Sequence, residues 1–204
     1  MEDEVSESQS EPNKSQLSSL MKLYGQGKVE LVVKEITQAL KWYPRSSTLY
    51  NMLGVAKAKL GRSEEAVNYF QTAINSKSDY ANAHYNMGNA LFKLGRFQEA
   101  INSYEKALQI FPHDAELYNN LGNALKDIGR HKEAISSYNK AIGLKPDDAE
   151  VYNNLGIALY ELGQYEEAIT SYNKAIELKP TFAEAHYNAK KTLQHGKASG
   201  LTGE

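Results

Sequence analysis

The 204-residue sequence contains no cysteine, only five prolines and no long apolar segment. Without cysteine, the chain has no disulfides, no thiolate metal ligands and no cysteine nucleophile. Its apolar runs fall well short of the roughly 18 residues that cross a membrane. The N-terminal residues MEDEVSESQSEP are acidic and polar, whereas a signal peptide would be basic and then apolar. These absences predict a cytoplasmic protein with no membrane partner.

The sequence also lacks a strong excess of either charge, since 23 lysines and arginines face 25 aspartates and glutamates. A chain of this kind has no broad basic surface, so nucleic acid is disfavoured as a partner. None of the five histidines forms the helical i, i+4 pair that a zinc site needs, and we expect them to be structural. No phosphate loop or nucleophile elbow occurs either. We therefore predict no metal, no cofactor and no active site.

A 34-residue repeat dominates what the sequence does contain. One glycine position recurs at Gly27, Gly61, Gly95, Gly129 and Gly163. A second glycine position recurs at Gly54, Gly88, Gly122 and Gly156. Two alanine positions and a proline position follow the same period. A fixed period of this length predicts stacked copies of one supersecondary unit.

Each repeat is predicted to hold two helices, here called its first and second helix. The first helix of the fourth repeat carries leucines at helical spacing and ends at Gly129, where a left-handed turn costs glycine little. We expect Gly122 to let the two helices lie close together, with Ala134 and Ala141 as the matching surface. The aromatic residues of the second helices, such as Tyr138, are expected to fill the gap between neighbouring repeats.

This pattern resembles the tetratricopeptide repeat family, whose motif combines an aromatic residue, Leu-Gly, alanine, a second aromatic residue and proline. The matching residues of the fourth repeat are Tyr118, Leu121, Gly122, Ala134, Tyr138 and Pro146. The resemblance implies an all-α fold, a right-handed α-solenoid of five helix-turn-helix units. Near-consensus repeats of this kind are also similar to the repeat region of O-linked N-acetylglucosamine transferases.

The predicted boundaries follow from the repeat register. The five repeats are expected at about residues 13–46, 47–80, 81–114, 115–148 and 149–182. A capping helix at 183–195 is expected to close the array, with disordered tails at 1–12 and 196–204. The first repeat is degenerate, because Leu20 stands at the close-packing glycine position and Ile36 at the aromatic position.

In the family, first helices line the concave side, which would place a row of asparagines in the groove. The asparagine ladder is Asn86, Asn120, Asn154 and Asn188, one residue per repeat. The other predicted partner-binding residues are Asn89, Asn123, Tyr85, Phe92, Lys126 and Tyr160. An asparagine amide matches the donors and acceptors of a peptide backbone without reading its sequence. Two interpretations stay open, since the ladder could hold a ligand or bond to neighbouring repeats.

Groove charge is predicted to change along the array. Lys59 and Lys93 occupy one position in repeats two and three, whereas Asp127 and Glu161 occupy it in repeats four and five. We hypothesise that the basic part of a bound peptide lies near repeats four and five. Phe92 and Tyr160 could form side-chain pockets or cover the surface between first helices.

Three functions are consistent with these features. The leading hypothesis is a monomeric, non-enzymatic interaction module or adaptor that binds an extended peptide or a partner helix in its groove. The alternative is a substrate-recruiting array at the N-terminus of a larger enzyme, of the glycosyltransferase or sulfotransferase type. The third is recognition of single-stranded RNA, which strong salt dependence would reveal.

Overall fold

The computed structural model describes residues 11–198, and in this range all regular secondary structure is α-helical. The chain forms two compact units that divide between Ile110 and Phe111. Unit 1 contains α1 (Lys14–Gly25), α2 (Val29–Ala39), α3 (Ser47–Lys59), α4 (Ser63–Ser76), α5 (Ala81–Lys93) and α6 (Phe97–Ile110). Unit 2 contains α7 (Ala115–Asp127), α8 (His131–Leu144), α9 (Ala149–Glu161), α10 (Tyr165–Leu178) and α11 (Ala183–Ala198). The all-α fold of five helix pairs and one closing helix is confirmed.

The ends of the predicted segments shift. Helix α11 continues to Ala198, into the segment predicted as a tail from residue 196. At the other end, the predicted tail of residues 1–12 is wrong for its last two residues. Pro12 is buried, and the carboxylate of Glu11 accepts hydrogen bonds from the hydroxyls of Ser46 and Ser47. The remaining tail residues, 1–10 and 199–204, lie outside the described residues.

Local hydrogen bonds mark both ends of helix α7. At the beginning of α7, the Asp114 side chain accepts a hydrogen bond of 3.0 Å from the Leu117 N–H, one of the donors that a helix start leaves without a partner. At its end, Gly129 has a φ of 77°, and the Arg130 N–H donates to the Leu125 carbonyl over 2.9 Å. The left-handed turn predicted at this glycine position is confirmed.

An aromatic ring fills the space between the two helices of repeats two to five. A Cβ built on Gly122 would lie 2.5 Å from Cε1 of Tyr138, and the other three repeats show the same contact. The glycine therefore makes room for the ring of its own repeat, which the sequence analysis had assigned only to the gap between neighbouring repeats. Phe70 of repeat two also packs with Ala90 of repeat three, so the predicted contact between repeats exists as well.

First helices lie nearer to one another than second helices do. In unit 1, α3 and α5 are in contact, and in unit 2 α9 contacts both α7 and α11. No comparable contact joins second helices of successive repeats within either unit, as far as residues 11–198 show. Within each unit, the first helices therefore form the inner side of the stack, where the asparagine ladder lies.

Candidate functional site

In unit 1, the asparagine ladder is tied to the preceding repeat. Nδ2 of Asn86 on α5 donates a hydrogen bond of 3.0 Å to Oδ1 of Asn51 on α3. Asn51 is buried, and its own Nδ2 lies 3.4 Å from the hydroxyl of Tyr80. Since one N–H of Asn86 links two repeats, the ladder has a structural role here.

Unit 2 repeats this arrangement twice. Nδ2 of Asn154 donates to Oδ1 of Asn119, and Nδ2 of Asn188 donates to Oδ1 of Asn153, each over 3.1 Å. Asn153 is only 2% exposed and also donates to the carboxylate of Glu184. Each ladder donor uses one of its two N–H groups in these bonds. The bonds fix the orientation of amides that remain half-buried on the inner side.

The second row of asparagines has a different partner. Oδ1 of Asn89 accepts a hydrogen bond of 2.7 Å from the hydroxyl of Tyr104, and Oδ1 of Asn123 accepts one of 2.8 Å from Tyr138. These bonds were not foreseen from the sequence. Repeat two has phenylalanine at the aromatic position and Val55 at the asparagine position, but repeat five combines Tyr172 with Ile157, so the two positions do not vary together.

The predicted aromatic residues contact other rings. Tyr85 lies 6.3 Å from the ring of Tyr104, and Phe92 lies 5.2 Å from the ring of Phe97 in an edge-to-face arrangement. Both candidates are half-buried. Both rings thus contact the second helix of their own repeat, whereas the sequence left open whether Phe92 forms a side-chain pocket or covers the surface between adjacent first helices.

The last two candidates lie in unit 2. The Tyr160 ring lies 5.5 Å from the ring of Tyr165 and 5.9 Å from that of His195. Nζ of Lys191 lies 5.3 Å from the centroid of the Tyr160 ring. Lys126 makes an ion pair of 2.7 Å with the neighbouring Asp127. This ion pair offsets the negative charge on which the hypothesis of a basic ligand partly depends.

A pocket on the first helices of unit 1 contains two of the predicted residues. It encloses about 200 Å³. Asn86, Asn89, Val55, Ala58, Lys59 and Lys93 are among its lining residues. This unit 1 pocket combines amides, small apolar side chains and two cations.

Unit 2 has a larger and more acidic pocket of about 530 Å³. Asn119, Asn120, Glu116, Glu150, Lys145 and Asp148 are among its lining residues. The ion pair with Asp148, at 3.0 Å, raises the pKa of the Lys145 ammonium above its ordinary value. Of the predicted residues, Asn86 and Asn89 thus line the unit 1 pocket and Asn120 lines the unit 2 pocket.

A third pocket, of about 380 Å³, lies between α1 and α2 and was not foreseen from the sequence. Leu20, Leu23, Leu31 and Trp42 are among its lining residues, and Trp42 is 77% exposed. The signal for it was the degenerate first repeat, in which aliphatic residues replace the glycine and the aromatic ring. None of the predicted site residues lines this pocket.

Two histidines bond to the backbone. Nε2 of His84 lies 3.0 Å from the carbonyl of Ser78, and Nε2 of His186 lies 2.8 Å from that of Pro180. Among the described residues, no cluster of histidine and carboxylate side chains is arranged to hold a metal ion. No helix within residues 11–198 has both the length and the apolar character to cross a membrane.

Three family models of the tetratricopeptide repeat match overlapping segments of the chain. One matches residues 79–147, a second matches 54–95 and 158–189, and a third matches 137–170. Together these matches extend from residue 54 to residue 189. A comparison with curated protein sequences gave no match.

Solved structures show the same fold. A crystal structure of MamA is 26% identical, covers 80% of this chain and 95% of its own, and superposes with a TM-score of 0.75. The structure of YrrB, described as a TPR protein with an unusual peptide-binding site, is 22% identical. It covers 88% of this chain and 92% of its own, with a TM-score of 0.78. A thermophilic TPR protein of Thermus thermophilus is 21% identical, with coverages of 89% and 98% and a TM-score of 0.64.

Proposed function

Because the chain belongs to the tetratricopeptide repeat family, we propose that its first helices bind an extended peptide segment. Tetratricopeptide repeat proteins are typically interaction modules rather than enzymes. The observation that carries the proposal is that ladder residues line concave surfaces. Asn86 lines the unit 1 pocket and Asn120 the unit 2 pocket. YrrB, which has the same fold, is described as having a peptide-binding site.

The amide bonds between repeats support this function physically. A side chain whose rotamer is already fixed loses less conformational entropy when a ligand binds. Asn86, Asn154 and Asn188 each donate one N–H to the preceding repeat. Each side-chain amide has a second N–H, which we propose donates to the peptide. The structural and the ligand interpretation are therefore compatible, because the bonds between repeats hold the amides in place for a ligand.

Other predicted residues are proposed to flank a bound segment within their own unit. Tyr85 and Phe92 would border a segment bound in unit 1, and Tyr160 would border one bound in unit 2. Glu116 and Glu150 line the unit 2 pocket, which favours a basic peptide segment there. Asp127 contributes less than the sequence suggested, since Lys126 pairs with it.

Two triple variants separate ligand binding from structure. In the ladder variant, Asn86, Asn154 and Asn188 become alanine. In the acceptor variant, their partners Asn51, Asn119 and Asn153 become alanine. Both variants break the same three hydrogen bonds, but only the ladder variant removes the amides that are proposed to bind the peptide.

The measurement is a selection of random peptides displayed on phage, followed by affinity measurements on labelled peptides well below the melting temperature of each variant. We expect the ladder variant to lose binding and the acceptor variant to keep most of it. Equal losses in both variants would reduce the ladder to a structural feature. Three exposed asparagines of second helices, Asn102, Asn139 and Asn173, provide an alanine control that should bind as the wild type does.

A further inference from the structure

The unit 1 pocket has an apolar floor. It is lined by Val55 and Ala58 of α3, Ala90 of α5 and the ring of Phe70, which pack together in one apolar cluster. Its volume of about 200 Å³ leaves room for one apolar side chain of moderate size. Burial of such a side chain stabilises a complex, because apolar surface is removed from water. The floor therefore favours a ligand that presents an apolar group.

Two lysines lie at the rim of this floor. Lys59 is the last residue of α3 and Lys93 the last residue of α5, and both are exposed. Within residues 11–198, neither lysine has a carboxylate at ion-pair distance. Lys57, two residues before Lys59, is by contrast paired with Glu65 over 2.6 Å. The charges of Lys59 and Lys93 are therefore not compensated by the described part of the protein.

The fold does not require lysine at this position. A cation at a helix C-terminus interacts favourably with the helix dipole, and an anion interacts unfavourably. Yet α7 and α9 end with Asp127 and Glu161 at the equivalent positions. Since the same helix pair forms with either sign of charge, the two lysines are free to serve recognition.

We propose that the unit 1 pocket selects an acidic peptide segment, in which an apolar side chain enters the floor and a neighbouring carboxylate lies between Lys59 and Lys93. This inference rests on the proposed peptide-binding function and gives it a ligand class. Charge complementarity across such a rim favours acidic partners and disfavours basic ones. A nucleic acid would satisfy the lysines but would leave the apolar floor without a matching group.

The test compares two double variants of the full chain. Lys59→Glu with Lys93→Glu reverses the charge at the rim. Lys41→Glu with Lys106→Glu makes the same change in net charge at exposed sites of unit 1 outside the pocket. Circular dichroism is expected to show that both variants fold, because all four side chains are exposed.

In the peptide display selection, the wild type should enrich peptides with aspartate or glutamate beside leucine, isoleucine, valine or methionine. Labelled peptides from that selection should bind the rim variant about tenfold more weakly, since two attractive charges become repulsive. The control variant should bind within about twofold of the wild type. Because the lysines are exposed, raising the salt concentration should weaken wild-type binding.

Each failure has its own meaning. If the enriched peptides that depend on the ladder are all neutral or basic, with no acidic peptides among them, the acidic preference is overturned and the peptide-binding function stands. Unchanged affinity in the rim variant would overturn it in the same way. Preferential, lysine-dependent binding of a single-stranded oligonucleotide would also overturn it. If the wild type enriches no peptide at all, both the inference and the proposed function fail.

Discussion

The first repeat and the four repeats that follow fill the same space with different side chains. In repeats two to five, glycine on the first helix lies under an aromatic ring of the second. In repeat one, Leu20 and Ile36 take these two positions, and they are 7% and 0% exposed. Two medium-sized side chains thus fill the space that is filled in the other repeats by one aromatic ring over a glycine. The fold requires the pair to fill the space, and the glycine is required only where the ring is present.

Placing a large side chain against the ring should have the largest effect on stability. Gly122→Leu would put a Cβ 2.5 Å from the ring of Tyr138, which is itself fully buried. We expect the free energy of unfolding to fall by about 3 kcal/mol, measured by urea denaturation. Gly143→Leu in the same repeat is the control, because that glycine is exposed and has no atom near its Cβ position. This change should stabilise helix α8 slightly, by about 0.5–1 kcal/mol.

The residue pair of the first repeat can be introduced at the equivalent positions of the fourth repeat. Combining Gly122→Leu with Tyr138→Ile recreates the pair formed by Leu20 and Ile36. The double variant should be more stable than the sum of the two single changes predicts, with a coupling of about 2 kcal/mol. If the effects of the two single changes simply add in a double-mutant cycle, the packing of the first and fourth repeats differs in more than this residue pair.

Removing part of the aliphatic pair should act locally. Leu20→Ala truncates a buried side chain, for which about 2–3 kcal/mol is typical. In a repeat array this loss is expected to fall on the terminal repeat, because each repeat contacts only its neighbours. Hydrogen exchange should therefore accelerate in α1 and α2 and remain unchanged in α5. Met21→Ala, at a residue that is 66% exposed, should change neither region.

The fold was predictable because its signals are local and repeated. The turn after each first helix depends on one glycine, such as Gly129, and on hydrogen bonds within a few residues. The start of α7 is capped by a single side chain, that of Asp114. Five copies of one pattern confirm one another, so the positions of the helix pairs follow from the sequence.

The contacts across helices were less predictable. The period shows that Asn86 and Asn154 are equivalent, but the partner of each depends on how closely neighbouring helices approach. Glu11 was missed for a different reason. It binds Ser46 and Ser47 from outside the repeats, so no equivalent residue could indicate its role. The period therefore identified which asparagines are equivalent in the candidate site, but not the hydrogen bonds that they make to neighbouring helices.

The smallest effect concerns the hydroxyl that distinguishes Tyr138 from Phe70 at the equivalent position. Tyr138→Phe removes the hydrogen bond to Asn123, which should lower the free energy of unfolding by about 1 kcal/mol at pH 7. Burial raises the pKa of Tyr138 above its ordinary value of 10.0. Above pH 10 the unfolded chain ionises this phenol while the folded chain keeps it protonated, so the wild type loses stability as the pH rises.

The phenylalanine variant lacks that ionisation, so its disadvantage should shrink between pH 10 and pH 11 in urea denaturation series. Tyr104 and Tyr172, whose pKa values burial also raises, should respond in the same direction. Val67→Ala, which removes methyl groups of a half-buried residue without changing an ionisable one, should show a pH-independent loss instead. A constant difference between Tyr138→Phe and wild type across this range would mean that the phenol ionises equally in both states, against the burial that the structure shows.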